Sequence, residues 1–574
     1  MPGLSTARIV RVSGPLLEVE GLSGVAMADL VALGEAELPG EVVAISGGTA
    51  TVQAYEYTGG LRTGDPARTL GRPLSVRLGP DLLGGVHDGL LRPLADAPTW
   101  LPPGSTREVA GGTWEWRPAV REGDLVEEGA VLGTVPTPAA LEFRVLVPPG
   151  TRGAVTWLAP PGARVSTEPV ALVGEVVVAM TADWPVRRAR PTATRLDAGE
   201  PLLTGQRVLD AVFPVARGST AAVPGGFGTG KTLLLQQVAK WCAADVIVYV
   251  GCGERGNEMA DVLAEFGDLV DPRTGRRLVE RTVIIANTSN MPMMAREASI
   301  YTGVTVAEYF RDMGHHAVVI ADSTSRWAEA MREWASRSGA LPAEEGYPAS
   351  LPSALAAFYE RAGSFTTLGG GTGSVTIIGA VSPPGGDTTE PVTTHTERFV
   401  RAVWDLDRDL AYARHYPAVA WSGSFSLDAE AVAHWYAGRE DPGWAARRAQ
   451  VTAVLAEADR LADLAALVGS SSLPSRERVV LWGGRLLREG FLQQSALSPN
   501  DSHCSPEKTR ALLEAVLGVI EACHAAVQRG VTAAEVEELD YSPLLRAGGD
   551  LAPDDVAGVE ARRDRVLAAL EQLR

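Results

Sequence analysis

The 574 residues predict a multidomain α/β chain: an N-terminal β-barrel, a domain with a parallel sheet, a β-rich insert inside it, and a C-terminal helical bundle. Three patterns carry this reading. Short β-rich runs punctuated by Gly and Pro fill the first part of the chain and return from about Gly112 to Pro185. Between about Pro191 and Val419, apolar strands alternate with helical segments, the mark of a parallel sheet. From about Asp428 to Arg574, strand patterns give way to Ala, Leu, Glu and Arg at helical spacing. The implied division is a barrel at 1–72, a central α/β domain at 73–111 and 186–428, an insert at 112–185, and a helical domain at 429–574.

Each element has its own cue. Ile9 to Pro15 and Glu41 to Gly48 are strand-like runs closed by turn residues, which suits a small barrel. Val120 to Gly133 has the rhythm of the barrel-sandwich in lipoyl and biotinyl carriers. No lysine stands between Met1 and Thr229 to carry a prosthetic group, so the insert is expected to be structural. Ala244–Val250, Thr282–Ala286, Ala317–Ala321 and Ser374–Gly379 read as buried strands. Ala511–Ile520 exemplifies the amphipathic helices of the tail, whose stripes are most simply core packing.

Composition narrows the function. No apolar run approaches the roughly 20 residues that span a bilayer, and Met1-Pro2-Gly3-Leu4 lacks a signal-peptide layout, which points to a soluble chain kept in the cytoplasm. A net charge of −18 argues against wrapping nucleic acid. Cys242, Cys252, Cys504 and Cys523 show no C-x-x-C spacing and read as buried free thiols. His315-His316 precedes a strand and reads as a turn.

Only three lysines occur, against forty-nine arginines, and one of them lies in Gly225-Gly226-Phe227-Gly228-Thr229-Gly230-Lys231-Thr232. This run matches G-x-x-x-x-G-K-[ST], with a strand-like segment before it and a helical one after it, the setting of a P-loop. Its glycines free backbone N–H groups to converge on phosphate oxygens, and the helix start adds a positive dipole end. Lys231 is a slim cation suited to bridge β- and γ-phosphates, and the Thr232 hydroxyl suits Mg²⁺. Asp322, after Ala317–Ala321, stands where a Walker B carboxylate orients metal-bound water. Glu254, just beyond a strand, can polarise the attacking water, and Arg255 can meet charge developing on the γ-phosphate. A surface ion pair of Glu254 with Arg255 is the alternative.

With these segments assembled, the chain closely resembles the catalytic A subunit of vacuolar/archaeal-type rotary ATPases. The resemblance rests on Tyr249–Met259, Ala286–Pro292, Ala321–Ala330, Pro342–Pro348, Phe358–Gly363 and Gly379–Asp387. It implies a RecA-like P-loop nucleotide-binding domain that acts on ATP/ADP with Mg²⁺. It also implies that Glu254 activates water, that Arg255 contacts the γ-phosphate, that Glu258 helps hold the metal's water shell, and that Tyr416 stacks on adenine. Gly226, Phe227, Gly228, Thr229 and Gly230 complete the implied nucleotide cradle.

Implied partners are a homologous non-catalytic B subunit in an alternating heterohexamer, central and peripheral stalk subunits, and a membrane sector moving H⁺ or Na⁺. The chain would then lie on the cytoplasmic face of the membrane through the complex. One essential arginine is expected from a neighbour.

Departures are specific. Gly226 replaces a usual Pro, which should loosen the loop. Thr229 stands where eukaryotic relatives carry a redox-active Cys. Leu497 ends Phe491–Leu497 where an aromatic is usual, leaving a second adenine wall open. Competing readings are a secretion-export ATPase, an RNA translocase of the same core, and a non-catalytic nucleotide-binding ring subunit.

Overall fold

The computed structural model describes residues 7–95, 97–98, 101–104, 111–139, 141–271, 274–339, 341–439, 441–469 and 472–573. The N-terminal run Met1 to Leu4, with its missing signal layout, lies outside them. By internal packing the chain divides into two compact units. The first contains residues 1–197, 244–382 and 389–399, and the second residues 198–243, 383–388 and 400–574.

The first unit opens with a closed barrel whose strands run, in spatial order, Ala7–Ser13, Leu16–Glu20, Thr49–Ala54, Leu38–Ser46, Asp29–Leu33 and Pro66–Pro73. Alternation drives the closure. Ile9, Leu17, Val19, Val31, Leu33 and Val52 point inward and are fully buried, so the strands share one core. The insert folds as two four-stranded sheets, one built on Thr113–Pro118 and Val131–Pro136 and the other on Gly153–Leu158 and Pro169–Val173. Ser75–Leu78 and Ala182–Pro185 pair antiparallel where the chain enters and leaves it.

The parallel sheet of this unit runs Thr372–Val381, His316–Asp322, Val246–Cys252, Thr282–Asn287 and Val86–His87. These strands are apolar on both faces, as parallel strands covered by helices must be. The helix Met293–Asp312 covers one face with most of its length buried. Gly303 makes that approach possible, since a Cβ there would collide with Val250 Cγ2.

In the second unit the buried strand Thr220–Pro224 pairs in parallel with Ala402–Val403, and Phe425–Ser426 adds antiparallel. The helices Trp444–Val468, Ser475–Leu487, Pro506–Gln528 and Val556–Gln572 form the C-terminal bundle. Pro506–Gln528 is long and apolar enough to cross a bilayer by length and composition. Its buried side chains, from Leu512 to Cys523, lie in the bundle core, and the helix begins with Ser505 accepting from the Lys508 N–H.

Candidate active site

In the second unit, Thr220–Pro224 delivers the chain to the glycine turn. Gly228 and Gly230 both hold φ of 83°, a left-handed backbone that favours residues without a Cβ. Thr229 closes the turn, its Oγ1 donating to the Gly226 carbonyl at 2.9 Å. The helix Lys231–Trp241 begins at once, so its first N–H groups, which have no intrahelical acceptor, face the turn. Lys231 is half-buried at this helix start, while Thr232 and Phe227 are exposed.

Tyr416 packs on the same turn. A Cβ added at Gly230 would stand 3.1 Å from Tyr416 Cε1. The Tyr416 carbonyl in turn accepts from the Gln494 N–H at 2.7 Å, which anchors the ring to the Phe491–Leu497 segment. Phe491 is fully buried, and Leu497 is 90% exposed. The segment therefore contributes its aromatic ring to the core and leaves the leucine at the surface.

In the first unit, the strand Val246–Cys252 ends in Gly253, whose φ is 74° and whose N–H donates to the Asn287 carbonyl at 2.7 Å. A Cβ at Gly253 would stand 2.8 Å from Arg326 Cβ, so this turn also requires glycine. It places Glu254, half-buried, directly beyond the strand, with the Glu254 carbonyl accepting from the Ser289 N–H at 2.9 Å. Arg255 caps the helix Gly256–Asp268, and its guanidinium lies 3.9 Å from the Glu258 carboxylate. Arg255 is largely exposed, a loose pairing that leaves the guanidinium able to swing.

Asp322 is buried at the end of the adjacent parallel strand, opposite Gly251, and the Asp322–Ser323 peptide is cis. Glu254 and Asp322 thus sit at the carboxyl ends of neighbouring strands, the edge where parallel α/β sheets bind ligands. Tyr249 Oη donates to Asp322 Oδ2 at 3.1 Å. Burial first, and then the Asp322 charge, hold the Tyr249 phenol well above its usual range, so it stays a donor. Tyr249 has no site role among the sequence-based expectations, which place it only in a buried strand and a family-like stretch. Its signal was a hydroxyl inside an otherwise buried strand, which demands a partner.

The structure therefore gathers Gly226 to Thr232 with Tyr416 in one unit, and Glu254, Arg255 and Glu258 with Asp322 in the other. Among the described residues, no three His, Cys, Asp or Glu side chains cluster to hold a metal by themselves. All four cysteines are buried free thiols. The donors at hand are hard oxygens, the carboxylates of Asp322 and Glu258 in the first unit and the Thr232 hydroxyl in the second. Oxygen donors of this kind suit Mg²⁺, which keeps several waters and takes one or two carboxylates together with substrate phosphates.

Sequence profiles of known families match four stretches of the chain. They are the beta-barrel domain of the ATP synthase alpha/beta family over 9–71, the ATP synthase alpha/beta subunit barrel-sandwich domain over 110–187, the nucleotide-binding domain of the same family over 205–426, and the C-terminal domain of V and A type ATP synthase over 433–537. The V-type ATP synthase alpha chain of Anaeromyxobacter dehalogenans is 50% identical, across 96% of this chain and 96% of its own length.

The chain belongs to the V/A-type ATP synthase alpha-chain family. The V-type ATP synthase alpha chain of Nitrosococcus oceani is 47% identical across 94% of this chain and 93% of its own. The corresponding A-type ATP synthase chain of Hyperthermus butylicus is 45% identical across 99% and 97%. The assembled ATPase EscN from the type III secretion system of enteropathogenic E. coli superposes with a TM-score of 0.65, covering 90% of this chain and 100% of that one. At 21% identity, EscN shares the fold alone. As a V/A-type alpha chain, the protein has the barrel, the nucleotide-binding α/β domain and the helical C-terminal domain that its sequence predicts.

Proposed function

We propose that this chain is the catalytic A subunit of a rotary V/A-type ATP synthase, which hydrolyses or forms ATP within a multisubunit, membrane-associated complex. The observation that carries the reading is 50% identity to a V-type ATP synthase alpha chain over nearly the full length, with Lys231 and Thr232 in place in the P-loop.

Backbone N–H groups of Gly226 to Gly230 and the following helix start would cradle the phosphate oxygens, and Lys231 would span the β- and γ-phosphates. Thr232 and Asp322, aided by Glu258, would hold Mg²⁺, which when bound supplies charge neutralisation on the phosphoryl oxygens. Glu254 polarises the attacking water and accepts its proton on a carboxylate oxygen. Arg255 meets the negative charge that grows on the transferring group. The Tyr416 ring offers adenine a stacking face. Synthesis uses the same groups in reverse.

The finer assignments belong to the same proposal. They comprise Mg²⁺ as the metal, a B subunit that alternates with this chain around a rotor, an arginine supplied by that neighbour, peripheral stalks, and an H⁺- or Na⁺-moving membrane sector with the chain on its cytoplasmic face. No nucleic acid takes part. The domain division at 1–72, 73–111 with 186–428, 112–185, and 429–574 is also proposed. The helical domain would meet the rotor, and each tenfold change in nucleotide affinity needs about 1.4 kcal/mol of differential contact. Lys231→Ala is expected to abolish ATP turnover by the assembled ring without preventing its assembly, as read by phosphate release and by native mass. Surviving turnover would remove Lys231 from the site.

A further inference from the structure

We propose that Tyr249 is a positioning residue for Asp322, its hydroxyl fixing the rotation of the carboxylate that takes part in metal binding. The proposal rests on the reading of Asp322 as a metal-binding carboxylate.

The geometry is a diagonal across two parallel strands. Gly251 lies opposite Asp322, and Tyr249 opposite Ile320. Because side chains alternate along a strand, Tyr249 and Gly251 share a face with Asp322 and Ile320. Gly251 presents no side chain between the phenol and the carboxylate. Its vacant Cβ position is filled instead by the Met259 Sδ. The Tyr249 ring is held edge-on by Phe266, with centroids 5.6 Å apart and planes at 68°. Both rings are fully buried. Its hydroxyl can thus swing little, and it donates to Oδ2 at 3.1 Å.

Packing alone does not account for the hydroxyl. Every residue from Val246 to Cys252 is buried, and phenylalanine would fill the same volume without a polar atom to satisfy. Groups that hydrogen-bond a metal-binding side chain set its orientation, and losing them weakens metal affinity by roughly 10- to 100-fold.

Tyr249→Phe removes the hydroxyl and keeps the ring against Phe266. In the assembled complex, equilibrium binding of N-methylanthraniloyl-ADP is measured with Mg²⁺ and with EDTA. The gain in affinity conferred by Mg²⁺ is expected to fall roughly tenfold or more in Y249F, while affinity in EDTA stays close to the parent's. An unchanged Mg²⁺-dependent gain overturns the proposal. So does an equal loss with and without Mg²⁺, which would mark the hydroxyl as a packing element. Asp322→Asn is measured alongside. If it leaves the gain intact, the metal reading of Asp322 fails. If D322N lowers the gain and Y249F does not, only the positioning role fails.

Discussion

Within the run from Gly225 to Thr232, the glycines carry different burdens. Gly230 combines a φ of 83° with a Tyr416 ring 3.1 Å from where its Cβ would be. Gly226 is outside the left-handed region, and a Cβ there would meet nothing closer than 3.5 Å. Gly230→Ala is therefore expected to destabilise by about 1–2 kcal/mol from backbone strain alone and to push Tyr416 aside. Gly226→Ala is expected to stabilise by about 0.4–1 kcal/mol, because it removes freedom from the unfolded chain without strain in the folded one. Thermal midpoints of the two variants check both signs. The scarcity of lysine has a similarly local explanation. Lys231 stands at the P-loop, Lys240 lies 4.7 Å over the Trp241 ring, and Lys508 is buried, donating to the carbonyls of Gly548 at 3.0 Å and Leu551 at 2.8 Å. A compact ammonium reaches two converging carbonyls where a guanidinium fork has no room to turn.

The long helix Met293–Asp312 is anchored by arginines from outside it, Arg187 on Glu297, Arg190 on Asp312 and Arg361 on Glu308. Arg361, in the turn after the helix Leu351–Tyr359, donates to Glu308 at 2.9 and 2.5 Å, to the Val186 carbonyl at 2.7 Å, and to Thr305 Oγ1 at 2.9 Å. Glu308 also accepts from the Arg190 N–H at 2.9 Å. Three segments distant in sequence thus meet on one buried carboxylate, and the planar guanidinium matches it at two points. Arg361→Ala is expected to cost about 3–5 kcal/mol, since it takes the hydrogen-bonded cation from the buried Glu308 carboxylate and leaves Arg311, 3.9 Å away, to face the charge. Arg361→Lys should recover only part, because one ammonium cannot reproduce the fork. Denaturant titration of the two variants measures the difference; near-equal stability of R361A and the parent would show that Glu308 relaxes to another donor.

At the level of the whole chain, the P-loop and the Glu254–Asp322 edge belong to different compact units. In the proposed complex, coupling of the nucleotide to a rotor requires states that differ in affinity. The proposed neighbour arginine adds a further condition. The isolated chain is expected to turn over ATP roughly 10³-fold more slowly than the assembled ring, the scale on which an arginine supplied in trans acts. Steady-state phosphate release before and after addition of the neighbouring B subunit checks this. Comparable rates would mean that this chain carries a complete site.

Features whose chemistry needs adjacent residues were legible in the order of the residues. The P-loop is contiguous because one turn must present several N–H groups together. Strands and helices announce themselves through periodicity, and Glu254 and Asp322 could be placed because each follows its own apolar strand. Pairings between distant residues left no such trace. The hydrogen bond from Tyr249 to Asp322, the fork of Arg361 on Glu308, the packing of Tyr416 on Gly230 and the exposure of Leu497 depend on strand register and on which face each element turns to its neighbour. Those are settled when the elements pack, because only then does burial force every polar group to find a partner.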